Sequence, residues 1–172
     1  MKLELPIAIE LADCIMAFYM VLPAYATNST PTIFGGGQPI DFEKRFLDGE
    51  RIFGSNKTVR GFVGGLVCGS LMALAEELFL SRGLFQLGFL VSLGSLFGDL
   101  LGAFLKRRLK IAPGSPLPIV DQLDFIFGAI VLTYPLYKFS LGVVLLLILV
   151  TPPIHLVGNV IAYALGLKKT FM

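Results

Sequence analysis

Residues 84–108 read LFQLGFLVSLGSLFGDLLGAFLKRR, an apolar run from Leu84 to Leu105 that carries one charge, Asp99, and closes on Lys106-Arg107-Arg108. At about 1.5 Å per residue the run crosses a hydrocarbon core of roughly 30 Å, so it reads as a transmembrane helix. A carboxylate near the middle of such a helix costs about 2.5–3.5 kcal/mol on insertion scales, and a group kept at that cost serves binding, transport or catalysis. Shortly downstream, Asp121-Gln122-Leu123-Asp124 adds two more carboxylates. Three acids and a cationic cluster set against membrane sequence predict a membrane-embedded site for a cation and a phosphate.

The rest of the chain agrees with a membrane setting. Of its 172 residues 55% are hydrophobic and 15% charged, and the mean hydropathy of +0.81 lies outside the soluble range. The expected fold is all-α, a polytopic integral membrane protein forming a single domain over residues 1–172. Five spans are predicted: Leu5 to Ala26, Val59 to Leu80, Leu84 to Leu105, Gln122 to Lys138, and Leu141 to Leu167. Thr151-Pro152-Pro153 should kink the last, because two backbone donors are missing mid-helix. The N-terminus, with Lys2 and Glu4, shows no cleavage site after a short apolar core and reads as a first span, not a signal peptide. Cys14 and Cys68 fall in apolar runs and read as small hydrophobes.

Basic residues set the orientation. Lys44, Arg45, Arg51, Lys57, Arg60, Lys106, Arg107, Arg108, Lys110, Lys168 and Lys169 fall on one side, against Lys2, Arg82 and Lys138 on the other. The N-terminus is therefore expected outside and the C-terminus in the cytoplasm, with the distinctive residues at the cytoplasmic face of a multi-pass cell-membrane protein.

Asp121 and Asp124 share one helix face, and two carboxylates so close repel unless a cation lies between them. Helix capping is the plain alternative for Asp121. Asp99 lies too deep for its short side chain to reach bulk water comfortably and needs a partner. Gly94, Gly98 and Gly102 would let another helix approach and bring Asp99 beside the pair. Oxygen ligands without His or Cys suit Mg²⁺. Lys106-Arg107-Arg108 could hold an anionic headgroup or simply follow the positive-inside rule. Residues 112–118, APGSPLP, read as a stiff wall or lid. Arg51-Ile-Phe-Gly54-Ser-Asn-Lys57-Thr58 ahead of the second span has the parts of a phosphate site without Walker spacing. Asn28 reads as a turn residue after the first helix, with ligand contact the minority reading. His155 and Asn159 share a face, with a hydrogen-bonded pair the plainer reading. Glu76 and Glu77 are expected to snorkel outward, and Asp13 has no assignment. No Ser, Cys or His constellation suggests a protein nucleophile, an absence that phosphoryl or nucleotidyl transfer tolerates.

Taken together, Pro23-Ala-Tyr25-Ala-Thr-Asn28, Phe34-Gly-Gly-Gly-Gln-Pro-Ile-Asp41, Asp48-Gly49-Glu-Arg51-Ile-Phe-Gly54-Ser-Asn-Lys57-Thr58-Val-Arg60-Gly61, Gly98-Asp99-Leu100, Lys106-Arg107-Arg108 and Pro118-Ile-Val-Asp121-Gln122-Leu123-Asp124 resemble the archaeal CDP-archaeol synthases. These are membrane cytidylyltransferases distantly similar to the CDP-diacylglycerol synthases. The resemblance covers essentially the whole chain. It implies five transmembrane helices and a Mg²⁺-dependent reaction of CTP with an isoprenoid ether-lipid phosphate, giving CDP-archaeol and pyrophosphate. Carried onto this sequence, it implies Asp99, Asp121 and Asp124 as metal-binding and, with Lys57, catalytic residues. Asn28, Gly54, Lys57, Thr58 and Gly61 would hold CTP, and Lys106 and Arg107 the lipid phosphate.

Gly102 and Ala103 stand where the diacyl enzymes tend to have Glu-Ser, and their His-Gly-Gly run is missing. One fewer carboxylate ligand is therefore expected. A diacyl substrate, a small transporter and a CDP-alcohol phosphotransferase are the competing readings. The last lacks its Asp-Gly start, and no internal repeat supports the transporter. No nucleic-acid partner is expected, and a homodimer is left open.

Overall fold

The computed structural model describes residues 9–80 and 83–166. Lys2, Arg82, Lys168 and Lys169, used above for orientation, lie outside the described residues, as do the predicted start of the first span at Leu5 and the end of the last at Leu167. Five helices follow in order: α1 (Leu11–Phe34), α2 (Val59–Phe79), α3 (Leu84–Arg108), α4 (Val120–Tyr137) and α5 (Leu141–Ala164). Among the described residues, α2, α3 and α5 are long and apolar enough to cross a membrane by length and composition.

The central element is α3, which packs against α1, α2 and α4, while α5 leans on α1 and α4. Glycine makes the α3–α4 contact close. A Cβ added at Gly94 would lie 2.6 Å from the Gly128 carbonyl oxygen, and one added at Gly128 would lie 2.6 Å from the Gly98 Cα. Backbone therefore meets backbone, the small-residue mode by which membrane helices gain van der Waals contact without a hydrophobic driving force. The core joins Ala17, Met20 and Ala24 of α1, Leu87 and Val91 of α3, Phe125, Ile126 and Ala129 of α4, and Val143 and Leu147 of α5. Outside it, Val63, Val67, Leu71, Leu74 and Leu78 of α2 form an exposed apolar stripe, as expected where lipid replaces water around the bundle.

Three helix boundaries differ from the sequence reading in ways that matter for the site. The first helix does not stop at Ala26 but continues through Asn28 and Pro31 to Phe34. Pro31 removes the donor that would satisfy the Thr27 carbonyl. That oxygen faces Gly65 of α2, whose added Cβ would sit 3.0 Å from it, so the helix is held by its neighbour and not by local propensity. Asn28 is accordingly a helical residue, not a turn. In α3 the helix runs on through Lys106, Arg107 and Arg108, three cations that suit the negative end of the helix dipole. The fourth helix begins at Val120, two residues early, and ends at Tyr137.

Three acids away from the site also take definite positions. Asp13 closes a reciprocal capping box with Glu10 at the start of α1 and accepts the Ser140 hydroxyl at 2.5 Å, tying α1 to the start of α5. Glu76 does not snorkel: it is 2% exposed, turned into the bundle. Glu77 accepts the Phe85 N–H at 3.0 Å, one of the free donors at the start of α3. Pro152 and Pro153 lie inside α5, and Tyr25 of α1 donates to the Thr151 carbonyl at 2.8 Å beside them.

Candidate active site

At the end of the bundle where α3 stops and α4 begins lies a cavity of about 690 Å³. Asn28, Pro31 and Thr32 of α1 line it, with Phe53, Asn56 and Lys57 from the α1–α2 loop. Asp99, Ala103, Lys106 and Arg107 come from α3, residues 113–118 from the α3–α4 linker, Asp121, Gln122 and Asp124 from α4, and His155, Leu156 and Asn159 from α5. The linker is the wall expected of its proline-rich sequence.

The three aspartates share this cavity, each in a different local setting. Asp99 accepts both contacts of Lys57, Nζ lying 2.5 Å from Oδ1 and 2.6 Å from Oδ2. Asp121 is held by Lys106, whose Nζ is 2.9 and 2.8 Å from its two oxygens, and it accepts the Leu117 N–H at 2.8 Å, which fastens the linker to the first turn of α4. Asp124 accepts its neighbour's N–H, that of Phe125, at 2.7 Å. Its carboxylate rests on α3 at Gly102, where a Cβ would overlap its Oδ2. The missing side chain at Gly102, noted above as a departure from the diacyl enzymes, is therefore the berth of Asp124.

Lys57 stands at the centre of this charge. Burial works against its ammonium, but Asp99, Asp124 and Asp121 together outweigh that and raise its pKa above the ordinary lysine value. A single cation thus answers to all three carboxylates. As the side chains stand, Lys57 and Lys106 keep the acids apart, and among the described residues no three His, Cys, Asp or Glu converge closely enough to hold a metal. The donor set nevertheless fits a hard divalent cation, being all carboxylate oxygen gathered around one cationic position.

Arg107 forms part of the cavity wall. It is 6% exposed, its Nε has no hydrogen-bond partner among the described residues, and its Cδ and Nη1 lie 3.5 and 3.6 Å from the place of a Cβ at Gly54. A guanidinium set in the wall of a cavity is suited to an anion. Arg108 points the other way. Its guanidinium lies over the rings of Phe46 and Phe104, 4.9 and 4.6 Å from their centroids, pairs with Asp48 at 2.7 Å and donates to the Arg51 carbonyl at 2.8 Å. The basic triplet is thus divided, Lys106 and Arg107 on the cavity and Arg108 clamping the loop.

Of the residues singled out from sequence, Asn28, Lys57, Asp99, Lys106, Arg107, Asp121 and Asp124 line one cavity. Gly54, Thr58 and Gly61 do not. Thr58 is the buried N-cap of α2 and accepts the Gly61 N–H at 3.1 Å, Gly61 backs onto Pro31, and Gly54 forms the turn behind Arg107. His155 and Asn159 form a side-chain pair, Nδ1 to Nδ2 3.3 Å, and both face the cavity. Sequence reasoning gave no role to Phe53, Asn56 or Gln122, whose residue types carry no chemical signature, nor to Asp41, buried just behind the loop.

Comparison with known proteins bears on the same residues. The family model for CarS-like CDP-archaeol synthases matches residues 9–172. The CDP-archaeol synthase of Pyrococcus furiosus is 48% identical over 158 residues, covering 89% of this chain and 95% of that protein. That of Methanocaldococcus jannaschii is 38% identical over 168 residues, covering 90% and 95%. A solved structure of an intramembrane enzyme for archaeal membrane lipid biosynthesis superposes with a TM-score of 0.80 at 34% identity, covering 85% of this chain and 94% of that one. The family-model match from residue 9 to residue 172 takes in every loop and helix that builds the cavity, and the chain belongs to the CDP-archaeol synthase family.

Proposed function

We propose that the cavity transfers CMP from CTP to an isoprenoid ether-lipid phosphate, giving CDP-archaeol and pyrophosphate, with Mg²⁺ as cofactor. The observation that carries this reading is the arrangement of three aspartates around Lys57, with Arg107 beside them. An acidic cation-binding floor adjoins an anion-binding wall, the pairing that a nucleoside triphosphate with its divalent cation requires.

A Mg²⁺ ion held by Asp99, Asp121 and Asp124 would supply charge neutralisation at the phosphates and leave no need for a protein nucleophile. Lys57, drawn off Asp99 by the incoming triphosphate, donates to the β- and γ-phosphate oxygens. Arg107, in the cavity wall, offers its guanidinium to the second anion, the lipid phosphate. One oxygen of that phosphate attacks the α-phosphorus, the bond from the α-phosphorus to the bridging oxygen breaks, and the electron pair leaves with pyrophosphate. Lys57 stabilises that leaving charge. Lys106, released from Asp121, is placed to meet the lipid phosphate from the bilayer side.

All five helices span the bilayer in this reading. At about 1.5 Å per residue, α1 is roughly 36 Å long and α4 roughly 27 Å, and both lie in one bundle with the three apolar spans. Among the described residues the cavity end carries Lys44, Arg45, Arg51, Lys57, Arg60, Lys106, Arg107, Arg108 and Lys110, against Lys138 at the other end. This bias supports a cytoplasmic active site and an external N-terminus.

The test is transfer of labelled CTP into an organic-extractable product by purified protein, comparing the ether-lipid phosphate with diacyl phosphatidic acid, with and without Mg²⁺. Label in the ether lipid only, and only with Mg²⁺, is the expected result. Label in the diacyl lipid alone would replace the substrate, and activity in a chelator would remove the metal.

A further inference from the structure

Asp41 lies outside the cavity and is among the most heavily hydrogen-bonded side chains of the chain. Its side chain is wholly buried in the α1–α2 loop. It accepts Arg51 through Nη2 at 2.5 Å and Nε at 3.3 Å, and the backbone N–H groups of Glu43, Phe53 and Gly54 at 3.0, 3.1 and 2.9 Å. Burial alone would disfavour its charge, but Arg51 and these three amides outweigh burial and hold the carboxyl at about 2. A charged acceptor with five donors is a template around which backbone folds.

The backbone it collects leads directly to Lys57. Gly54 has φ +96°, a conformation that side chains rarely adopt, and its carbonyl accepts the Lys57 N–H at 3.4 Å. The Lys57 carbonyl accepts the Ile40 N–H at 2.8 Å, and the Gln38 carbonyl accepts the Val59 N–H at 3.0 Å, which laces residues 38–40 to 57–59. Asp41 thus fixes the turn leading out of Pro39 and the turn at Gly54 at once, and Lys57 is carried between them. We infer that Asp41 is a positioning residue for Lys57, acting through the Gly54–Lys57 turn to hold the ammonium at the three aspartates. The inference rests on the proposed role of Lys57 only for its effect on turnover; the positional claim stands apart from it.

The two are separated by reading Lys57 directly. An amine-acylating reagent is applied to the full-length protein in detergent, and modification at each lysine is quantified by mass spectrometry, with exposed Lys138 as internal reference. In Asp41→Ala, Lys57 modification relative to Lys138 is expected to rise about tenfold, in line with the loss of a charged multi-donor acceptor. Asp41→Asn keeps one acceptor oxygen and should fall between wild type and Asp41→Ala. Gly54→Ala, which strains the turn while leaving Asp41 intact, should raise Lys57 modification as well, and serves if the Asp41 variants do not fold. Lys57 modification at the wild-type level in folded Asp41→Ala or Asp41→Asn, or in Gly54→Ala where neither folds, overturns the inference. Raised modification with undiminished cytidylyl transfer upholds the positioning and instead removes Lys57 from the mechanism.

Discussion

Lys57 and Asp99 meet through both carboxylate oxygens, which ties the loop ahead of α2 to the body of α3. Lys57→Met should therefore lower kcat by about 10²–10³, the loss typical of one preorganised donor at developing charge. Lys57→Arg should not rescue it, because a planar fork cannot replace a compact ammonium between the acid and the phosphates. Removing one partner leaves the other unpaired, so Lys57→Met combined with Asp99→Asn should be more stable than the sum of the single losses. A double-mutant cycle on thermal unfolding in detergent measures that coupling; additive losses would show that the pair does not interact.

Gly102 and Asp124 make a second testable contact. Gly102→Ala places a methyl where the Asp124 carboxylate rests, so the acid must leave its berth. Activity should fall by more than the accompanying stability loss, which for overpacking is about 1–3 kcal/mol. Asp124→Asn should keep the fold and abolish turnover. Wild-type kcat in either variant, measured with saturating CTP, would separate Asp124 from the chemistry.

Much of this site is legible in sequence because membrane burial makes charge expensive. Asp99, Asp121, Asp124, Lys57, Lys106 and Arg107 stand out against apolar text, and the structure brings all six to one cavity. The glycine spacing of α3 likewise anticipates its close approach to α4. What sequence does not show is tertiary support. Asn28 lies within the polar run Thr27-Asn28-Ser29-Thr30 and just before Pro31, a local signature of helix end, yet Gly65 of the neighbouring helix sustains α1 through it. Thr58 looks like a phosphate ligand, but the same hydroxyl serves as an N-cap, and residue type alone cannot choose between them. Asp41 sits in a glycine- and charge-rich loop where an Asp is commonplace; only the folded loop reveals its five donors.

Asp41 also predicts an acid limit. Its carboxyl is held at about 2 in the folded loop against an ordinary 3.8, so the charged form stabilises the fold. A depressed folded value means that this contribution, about 2 kcal/mol, is fully present above about pH 4–5 and is lost as pH falls toward 2. Hydrogen exchange at the Phe53 and Gly54 amides, corrected for intrinsic pH dependence, should show unchanged protection from about pH 5 upward and a fall below it. In Asp41→Asn the acid limb should disappear because no proton is taken up there.

Glu76 yields the opposite kind of prediction. It is 2% exposed, and neither carboxylate oxygen has a hydrogen-bond partner among the described residues. It stands seventeen residues beyond Val59 at the start of α2, roughly 26 Å along the helix, at the end of the bundle away from the cavity. Replacing an unsatisfied buried acid by an apolar side chain of similar length removes a desolvation cost and gives up no hydrogen bond seen here. Glu76→Met should therefore raise the thermal midpoint, by about 2–4 °C for each kcal/mol recovered in a chain of this size, with turnover unchanged. Glu76→Gln should gain less, since an amide buried without partners is still penalised. A lowered midpoint or lost turnover in Glu76→Met would mean that the carboxylate answers to a partner at that face, which makes the two readouts together decisive.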